Sequence, residues 1–200
     1  MMRTERGKLF VVSGPSGAGK STVISRVMAA RDDVVFSVSA TTREPREGEV
    51  HGVNYFFIDR RKFREMIDND EFLEYAEYVK NFYGTPRKAV MEKLASGLNV
   101  ILDIEVQGAV QVRERMPEAV TIFLTPPSFK ELEFRLRNRH QDSEEMIKSR
   151  LERAKSEYES AGNYDYIVIN EDPDVAASEL SSIITAELCR TAERIKLLEV

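Results

Sequence analysis

Gly14-Pro15-Ser16-Gly17-Ala18-Gly19-Lys20-Ser21 follows directly on the apolar run Leu9-Phe10-Val11-Val12. The pair predicts a buried parallel strand, a glycine-rich turn and a helix, in that order. The glycines let the backbone curl so that successive N–H groups face inward as an anion nest. The helix opening near Gly19 adds the positive end of its dipole. Lys20 brings a long cationic arm for β- and γ-phosphates, and Ser21 a hydroxyl for Mg²⁺. The octet is a complete Walker A phosphate loop, and Gly14 through Ser21, with Thr22 after it, form the candidate set for a nucleoside triphosphate.

The rest of the chain is consistent with one domain built around that loop. Its 200 residues suffice for one core with inserts, and 42% hydrophobic with 32% charged residues is ordinary for a globular protein. The net charge of −5 argues against a nucleic-acid surface and for a small anion met by local positive charge. A single cysteine, Cys189, rules out an intramolecular disulfide and makes a cysteine-based zinc site a poor reading. Met1 to Lys8 is polar, no apolar h-region follows, and no run is long enough to cross a bilayer. The expected location is cytoplasmic, with no membrane or nucleic-acid partner.

Strand and helix patterns alternate along the chain. Val23, Ile24, Val27 and Met28 stripe a helix from Lys20 to Ala30. Val34 to Val38 reads as a strand. Ala40 to Asn54, punctuated by Pro45, Gly48 and Gly52, reads as a loop or tight antiparallel region. A short strand Tyr55 to Ile58, a helix Arg60 to Asn69, an extended stretch Phe72 to Val79 and a helix from Pro86 to Ala95 follow. Val100 to Asp103, Val120 to Leu124 and Tyr166 to Ile169 are further strands. Helices are expected at Ser128 to Arg139, from an Asp142/Glu145 capping pair to Ser160, and from Asp172-Pro173 onward. The fold class is therefore α/β: a P-loop-type parallel sheet covered by helices. Residues 1–39, 96–127 and 161–200 make the core, 40–95 an inserted subdomain and 128–160 a helical lid.

Four constellations carry chemistry. Asp103 ends an apolar strand, the Walker B pattern, on the side of a parallel sheet where ligands bind; it is a candidate Mg²⁺ ligand with Ser21, or else a strand-end cap. In Ser39 to Glu49, Arg43 and Arg46 flank a proline and can converge on one phosphate, with phenolic help from Tyr55 and Tyr83. Glu44, Glu47 and Glu49 partly neutralise that loop, so a solvated charged surface is the competing reading. Glu74 lies among Phe72, Leu73 and Tyr75. A carboxylate there either faces water, which spacing alone favours, or meets a donor pair such as guanine N1–H and N2–H₂. Finally, Arg135, Arg137 and Arg139, then Arg150 and Arg153, flank a polar tip in a helical pair able to close over phosphates, or form a solvated helix face with pairs such as Glu131–Arg135.

These residues, taken in order, resemble guanylate kinase, a P-loop nucleoside monophosphate kinase family. The resemblance rests on the Walker A octet, Ser39 to Glu49 with Gly52 and Tyr55, Glu74, Tyr83-Gly84-Thr85, Asp103-Ile104-Glu105-Val106-Gln107-Gly108 and Tyr166 to Asn170. It implies transfer of the γ-phosphoryl group of ATP to GMP, and to dGMP, with Mg²⁺, giving ADP and GDP for guanine nucleotide synthesis and recycling. It implies that Arg43, Arg46, Tyr55 and Tyr83 grip the GMP phosphate. Ser39, Glu74 and Thr85 would read guanine, with Glu105 near that nucleotide. Lys20 and the loop would hold ATP, Arg139 and Arg150 would be lid arginines acting with Lys20 and Arg43 in catalysis, and Asn170 would lie near adenine. The chain departs from the common Gly-Arg-Gly lid tip, carrying Asn138-Arg139-His140. His51 and His140 receive no role.

Competing readings differ in what they require. A GTP-binding switch needs an Asn-Lys-x-Asp motif, which is absent. A non-catalytic guanylate-kinase-like module typically has a degraded phosphate loop, whereas Lys20 and Ser21 are intact. A related kinase for another small phosphorylated acceptor is the remaining alternative. The oligomeric state is left open, a homodimer being one option.

Overall fold

The structure, a computed structural model, describes residues 6–78, 80–138 and 143–198. The elements open with β1 (Leu9–Ser13), α1 (Lys20–Ala30), β2 (Val34–Phe36), β3 (Ala40–Thr41), β4 (Phe56–Phe57) and α2 (Arg60–Asp68). There follow β5 (Phe72–Tyr78), β6 (Asn81–Pro86), α3 (Arg87–Ala95), β7 (Asn99–Asp103), α4 (Val106–Arg115) and β8 (Val120–Thr125). The chain continues through α5 (Phe129–Asn138), α6 (Glu144–Glu159), β9 (Tyr166–Ile169), α7 (Pro173–Leu188) and α8 (Thr191–Arg194).

Five strands form a sheet in the order β2-β7-β1-β8-β9, parallel throughout. All five residues of β1 are buried, since the central strand is covered on both faces. Alternation divides its side chains. Phe10 and Val12 pack with Val23 and Val27 of α1 and Leu180 and Ile184 of α7. Leu9 and Val11 pack on the other side with Val90 and Leu94 of α3 and Ala109 and Val112 of α4. Pairing of Val12 with Asp103 sets the carboxyl end of β7 beside the end of β1, where the phosphate loop begins.

A second sheet, β4-β3-β6-β5, is mixed: β3 runs parallel to β4 and antiparallel to β6, which pairs antiparallel with β5. Phe63 of α2 is fully buried beneath it, stacked 4.4 Å from Phe72 and 5.4 Å from Phe82. Truncating such a ring to Ala costs about 3–5 kcal/mol, so α2 is what holds the β5–β6 hairpin. Leu73, the residue after Phe72, points instead into the cluster shared with β1, β7 and α4. Thus β5 ties the small sheet to the large one.

Most elements match the sequence expectations to within a residue or two. The second strand stops at Phe36 rather than Val38. Pro86 ends β6 and caps α3 instead of lying inside its first turn. Helix α6 is opened by Ser143, whose hydroxyl accepts from the Met146 N–H; the expected cap Asp142 lies outside the described residues, as do Val79, Arg139 and His140. Four elements went unrecognised in the sequence: β3, β6, α4 and α8. The α3 helix, counted with the insert, packs Val90 and Leu94 against β1 and β7.

Candidate active site

The phosphate loop takes the conformation that its glycines allow. Gly19, the residue before α1, has φ +88°, and a Cβ there would sit 2.4 Å from Asn170 Nδ2. No side chain caps α1, which leaves its first N–H groups available to an anion. Lys20 Nζ donates to the Gly14 carbonyl at 2.7 Å and lies 4.0 Å from Asp103 Oδ1. Burial raises the Asp103 carboxyl above its ordinary range, and Lys20 opposes that. A cavity of about 400 Å³ lies over the loop, lined by Ser16, Gly17, Lys20, Ser21 and Asp103 from below and by Arg150, Arg153 and Glu157 of α6 from above.

Other loop residues support rather than line this space. Pro15 and Ala18 are buried, and Thr22 is exposed on the first turn of α1. Asn170 is buried, and its side-chain amide donates to the Ala18 carbonyl at 2.7 Å. That bond braces the loop from beneath.

A second cavity, about 320 Å³, opens against the small sheet. Ser39, Tyr55, Glu74, Tyr83 and Gly108 line it, and it shares Tyr78, Asp103, Ile104 and Glu105 with the first. The two spaces therefore meet at the end of β7.

Glu74 reaches this cavity because β5 is irregular. Its register against β6 shifts between Phe72 and Glu74, the mark of a bulge, and Phe72, Leu73 and Glu74 are all buried. Thr85, opposite on β6, donates its hydroxyl to Glu74 Oε1 at 2.7 Å. The other oxygen, Oε2, faces Gly108 of α4, where a Cβ would come within 2.8 Å of it. Burial pushes the Glu74 carboxyl up to about 7, against the lowering effect of the Thr85 bonds. The surface reading of Glu74 fails: it is 6% exposed.

The Arg43 loop is preorganised. Glu49 accepts a two-pronged contact from Arg43, 2.8 and 2.9 Å, and a third bond from the Arg46 N–H at 2.7 Å. Those bonds hold the Glu49 carboxyl below the usual range. Arg43 also interacts with the Tyr83 phenol, and lies 5.5 Å from the Tyr55 ring centroid. The Tyr55 and Tyr83 rings are 6.1 Å apart, so three of the four expected phosphate ligands converge, with Arg46 exposed on the adjoining turn. Glu49, read in the sequence only as a neutralising charge, is the clamp that aims Arg43.

The cationic run divides in two. Arg135 pairs with Glu131 at 2.7 Å and donates to the Asn170 carbonyl, while Arg137 pairs with Glu133 and Glu144. Arg150 and Arg153 instead line the phosphate cavity. Arg139 lies outside the described residues. Glu105, at the start of α4, is ion-paired with Arg153. His51 packs edge-on against Phe56, away from both shared walls.

The residues present fit Mg²⁺. Ser21 and Asp103 offer hard oxygen donors in one cavity, and no cluster of three or more His, Cys, Asp or Glu suited to a metal exists among the described residues. One or two protein oxygens completed by substrate phosphates is how Mg²⁺ is ordinarily held.

Comparison with known proteins agrees with this architecture. The family profile described as Guanylate kinase matches residues 6–187. A guanylate kinase of Halalkalibacterium halodurans is 51% identical over 189 residues, 94% of this chain and 93% of that protein. One from Escherichia coli (strain K12) is 49% identical over 191 residues, 94% and 92% of the two chains. The crystal structure of guanylate kinase from Anaplasma phagocytophilum superposes with a TM-score of 0.78 at 36% identity, covering 100% of this chain and 95% of that one. With the loop, the paired cavities and these matches in hand, the chain belongs to the guanylate kinase family.

Proposed function

We infer that this chain is an enzyme that moves the γ-phosphoryl group of ATP onto the phosphate of GMP, giving ADP and GDP. The observation that carries the site assignment is the shared wall: a phosphate-loop cavity and a cavity containing a buried carboxylate meet at Asp103 and Glu105. ATP belongs in the first and GMP in the second, with dGMP as a second acceptor.

In this reading, the N–H groups of Gly14 to Ser21 and Lys20 hold the ATP phosphates, with Thr22 on the same helical turn and Asn170 acting from beneath the loop. Arg43, Arg46, Tyr55 and Tyr83 grip the GMP phosphate. Glu74, set by Thr85, accepts from guanine N1–H and N2–H₂, with Ser39 and Glu105 on either side. Adenine has no N1–H to offer, which gives the discrimination.

The acceptor is a phosphate oxygen, already largely anionic at neutral pH, so no general base is needed. The barrier lies in bringing two polyanions into line. Lys20, Arg43, Arg139 and Arg150 screen that repulsion and stabilise charge on the equatorial oxygens. Mg²⁺, held by Ser21 and Asp103, supplies further charge neutralisation at the phosphates when bound. We assign 1–39, 96–127 and 161–200 to a core, 40–95 to the GMP-binding part and 128–160 to a lid that closes to exclude water. No helix among the described residues is long and apolar enough to cross a membrane, in keeping with a cytoplasmic role.

An ADP-release assay with GMP, dGMP, AMP and UMP tests the assignment. Turnover with the two guanine nucleotides and little with the others is expected. A preference for AMP or UMP would point to a related kinase with another acceptor, and no turnover to a binding module.

A further inference from the structure

The two protonation states of Glu74 present two different hydrogen-bonding patterns at one place. Ionised, its carboxylate accepts through both oxygens; protonated, it accepts through one and donates through the other. The surroundings admit both forms. The side chain is buried between its own strand, β6 and Gly108 of α4, and burial favours the neutral acid. Thr85 donates its hydroxyl to Oε1 at 2.7 Å, which keeps that oxygen an acceptor and leaves Oε2, over Gly108, to carry a proton. Arg115, at the end of α4, favours the anion, but it is itself paired with Asp70 at 3.2 Å, and Glu105 at the start of α4 opposes it. Asp103, Tyr55, Tyr78 and Tyr83 share the cavity. Acid and anion exchange at about 7, so both are populated near neutral pH.

We propose that the acceptor cavity serves two classes of purine nucleotide: ionised Glu74 takes a base whose N1/C2 edge presents two donors, and protonated Glu74 takes one whose edge presents an acceptor and a donor, as in 2-aminopurine riboside 5′-monophosphate. This rests on the assignment of GMP to that cavity with its base edge on Glu74. The 2-aminopurine ring keeps the 2-amino group but has a bare N1. The Oε2–H of the acid donates to N1, and Oε1 accepts from N2–H₂. Each mismatch is costly in a buried site. Guanine on the acid sets N1–H against O–H, and 2-aminopurine on the anion sets lone pair against lone pair. The transfer itself is the same for both acceptors: a bond forms from the γ-phosphorus to an acceptor phosphate oxygen as the bond to the leaving oxygen of ADP breaks. The ratio of acid to anion is proportional to proton concentration, so the relative preference moves about tenfold per pH unit wherever the midpoint lies. Titration of the acceptor phosphate and of Asp103 affects both nucleotides alike and cancels in that preference. Loss of the 6-oxo group lowers the 2-aminopurine rate by a factor that does not depend on pH.

The test is kcat/KM with ATP for GMP and for 2-aminopurine riboside 5′-monophosphate between about pH 6 and 8, a quantity that reports the free enzyme's protonation state. In the wild type the 2-aminopurine-to-GMP ratio should rise about tenfold for each pH unit of acidification. In Glu74→Gln the amide fixes the donor–acceptor pattern of the acid, so the ratio should be independent of pH. A flat ratio in the wild type, no turnover of the 2-aminopurine nucleotide at about pH 6, or the same slope in Glu74→Gln overturns the proposal. A second measurement uses the wild type alone. Calorimetric titration of each nucleotide in buffers of different ionisation enthalpy should show the 2-aminopurine complex holding about one proton more than the GMP complex; equal proton uptake overturns the proposal too. An unchanged kcat/KM for GMP in Glu74→Gln would instead overturn the reading of guanine by Glu74, and this proposal with it.

Discussion

Glu74→Gln should make the protein more stable and a worse enzyme at once. The Glu74 carboxyl titrates near 7 in the fold against an ordinary 4.5. Its folded midpoint is the higher one, so the fold favours the protonated form. That stabilisation is complete below about 4.5 and is lost as pH rises through about 7. Converted at 1.36 kcal/mol per pH unit, ionised Glu74 costs the nucleotide-free protein about 3 kcal/mol at pH 8, an upper figure. Glutamine keeps the acceptor for Thr85 and carries no charge. At roughly 2–4 °C per kcal/mol for a chain of this size, the variant should melt several degrees above wild type at pH 8. The difference should shrink toward zero near pH 5. The amide sets a donor against a guanine donor, so kcat/KM for GMP should fall at least tenfold, about 1.4 kcal/mol or more. The KM for ATP should hold, and the GMP-over-AMP preference should narrow. Melting curves at pH 5 and 8, with GMP and AMP kinetics in both proteins, are the assay. An equal melting shift at the two pH values would refute the cost of the buried charge, and an unchanged GMP-to-AMP ratio the role in base reading.

Three further outcomes are expected. Lys20→Met should abolish turnover through kcat with an unchanged circular dichroism spectrum, since the charge acts most in the transition state; near-normal turnover would exclude that role. Arg46→Ala should weaken GMP by on the order of 2 kcal/mol in calorimetry while sparing ATP; the reverse pattern would reassign the loop. Gly108→Ala places a Cβ 2.8 Å from Glu74 Oε2, so KM for GMP should rise with little change for ATP, and equal effects on both would contradict the cavity assignment.

What could be read from the sequence was what is local. The phosphate loop, the strand ending at Asp103 and the Asp172-Pro173 helix start are each written in a few adjacent residues. Asp172 indeed accepts from the N–H groups of Asp174 and Val175. Strand β6 escaped because Gly84 carries no strand signal and Pro86 reads as the start of a helix, while its pairing with β3 and β5 is long-range. The burial of Glu74 was illegible for a related reason. It depends on a register shift in β5 and on Gly108 of a helix more than thirty residues away. The Glu49 clamp on Arg43 is six residues long in sequence, yet three glutamates in that loop were equally placed to make it. Arg150 and Arg153 could be grouped with Arg135 and Arg137 by charge; only packing separates those facing the phosphates from those paired along α5.

The most direct test of the central claim is a crystal structure with GMP and the β,γ-imido analogue of ATP bound together with Mg²⁺. The account predicts the analogue's phosphates on the Gly14–Ser21 loop and the GMP phosphate among Arg43, Arg46, Tyr55 and Tyr83. It predicts guanine N1 and N2 within hydrogen-bonding distance of the Glu74 carboxylate, about 2.7–3.2 Å. A guanine edge bound elsewhere, with Glu74 still facing only Thr85 and Gly108, would contradict it.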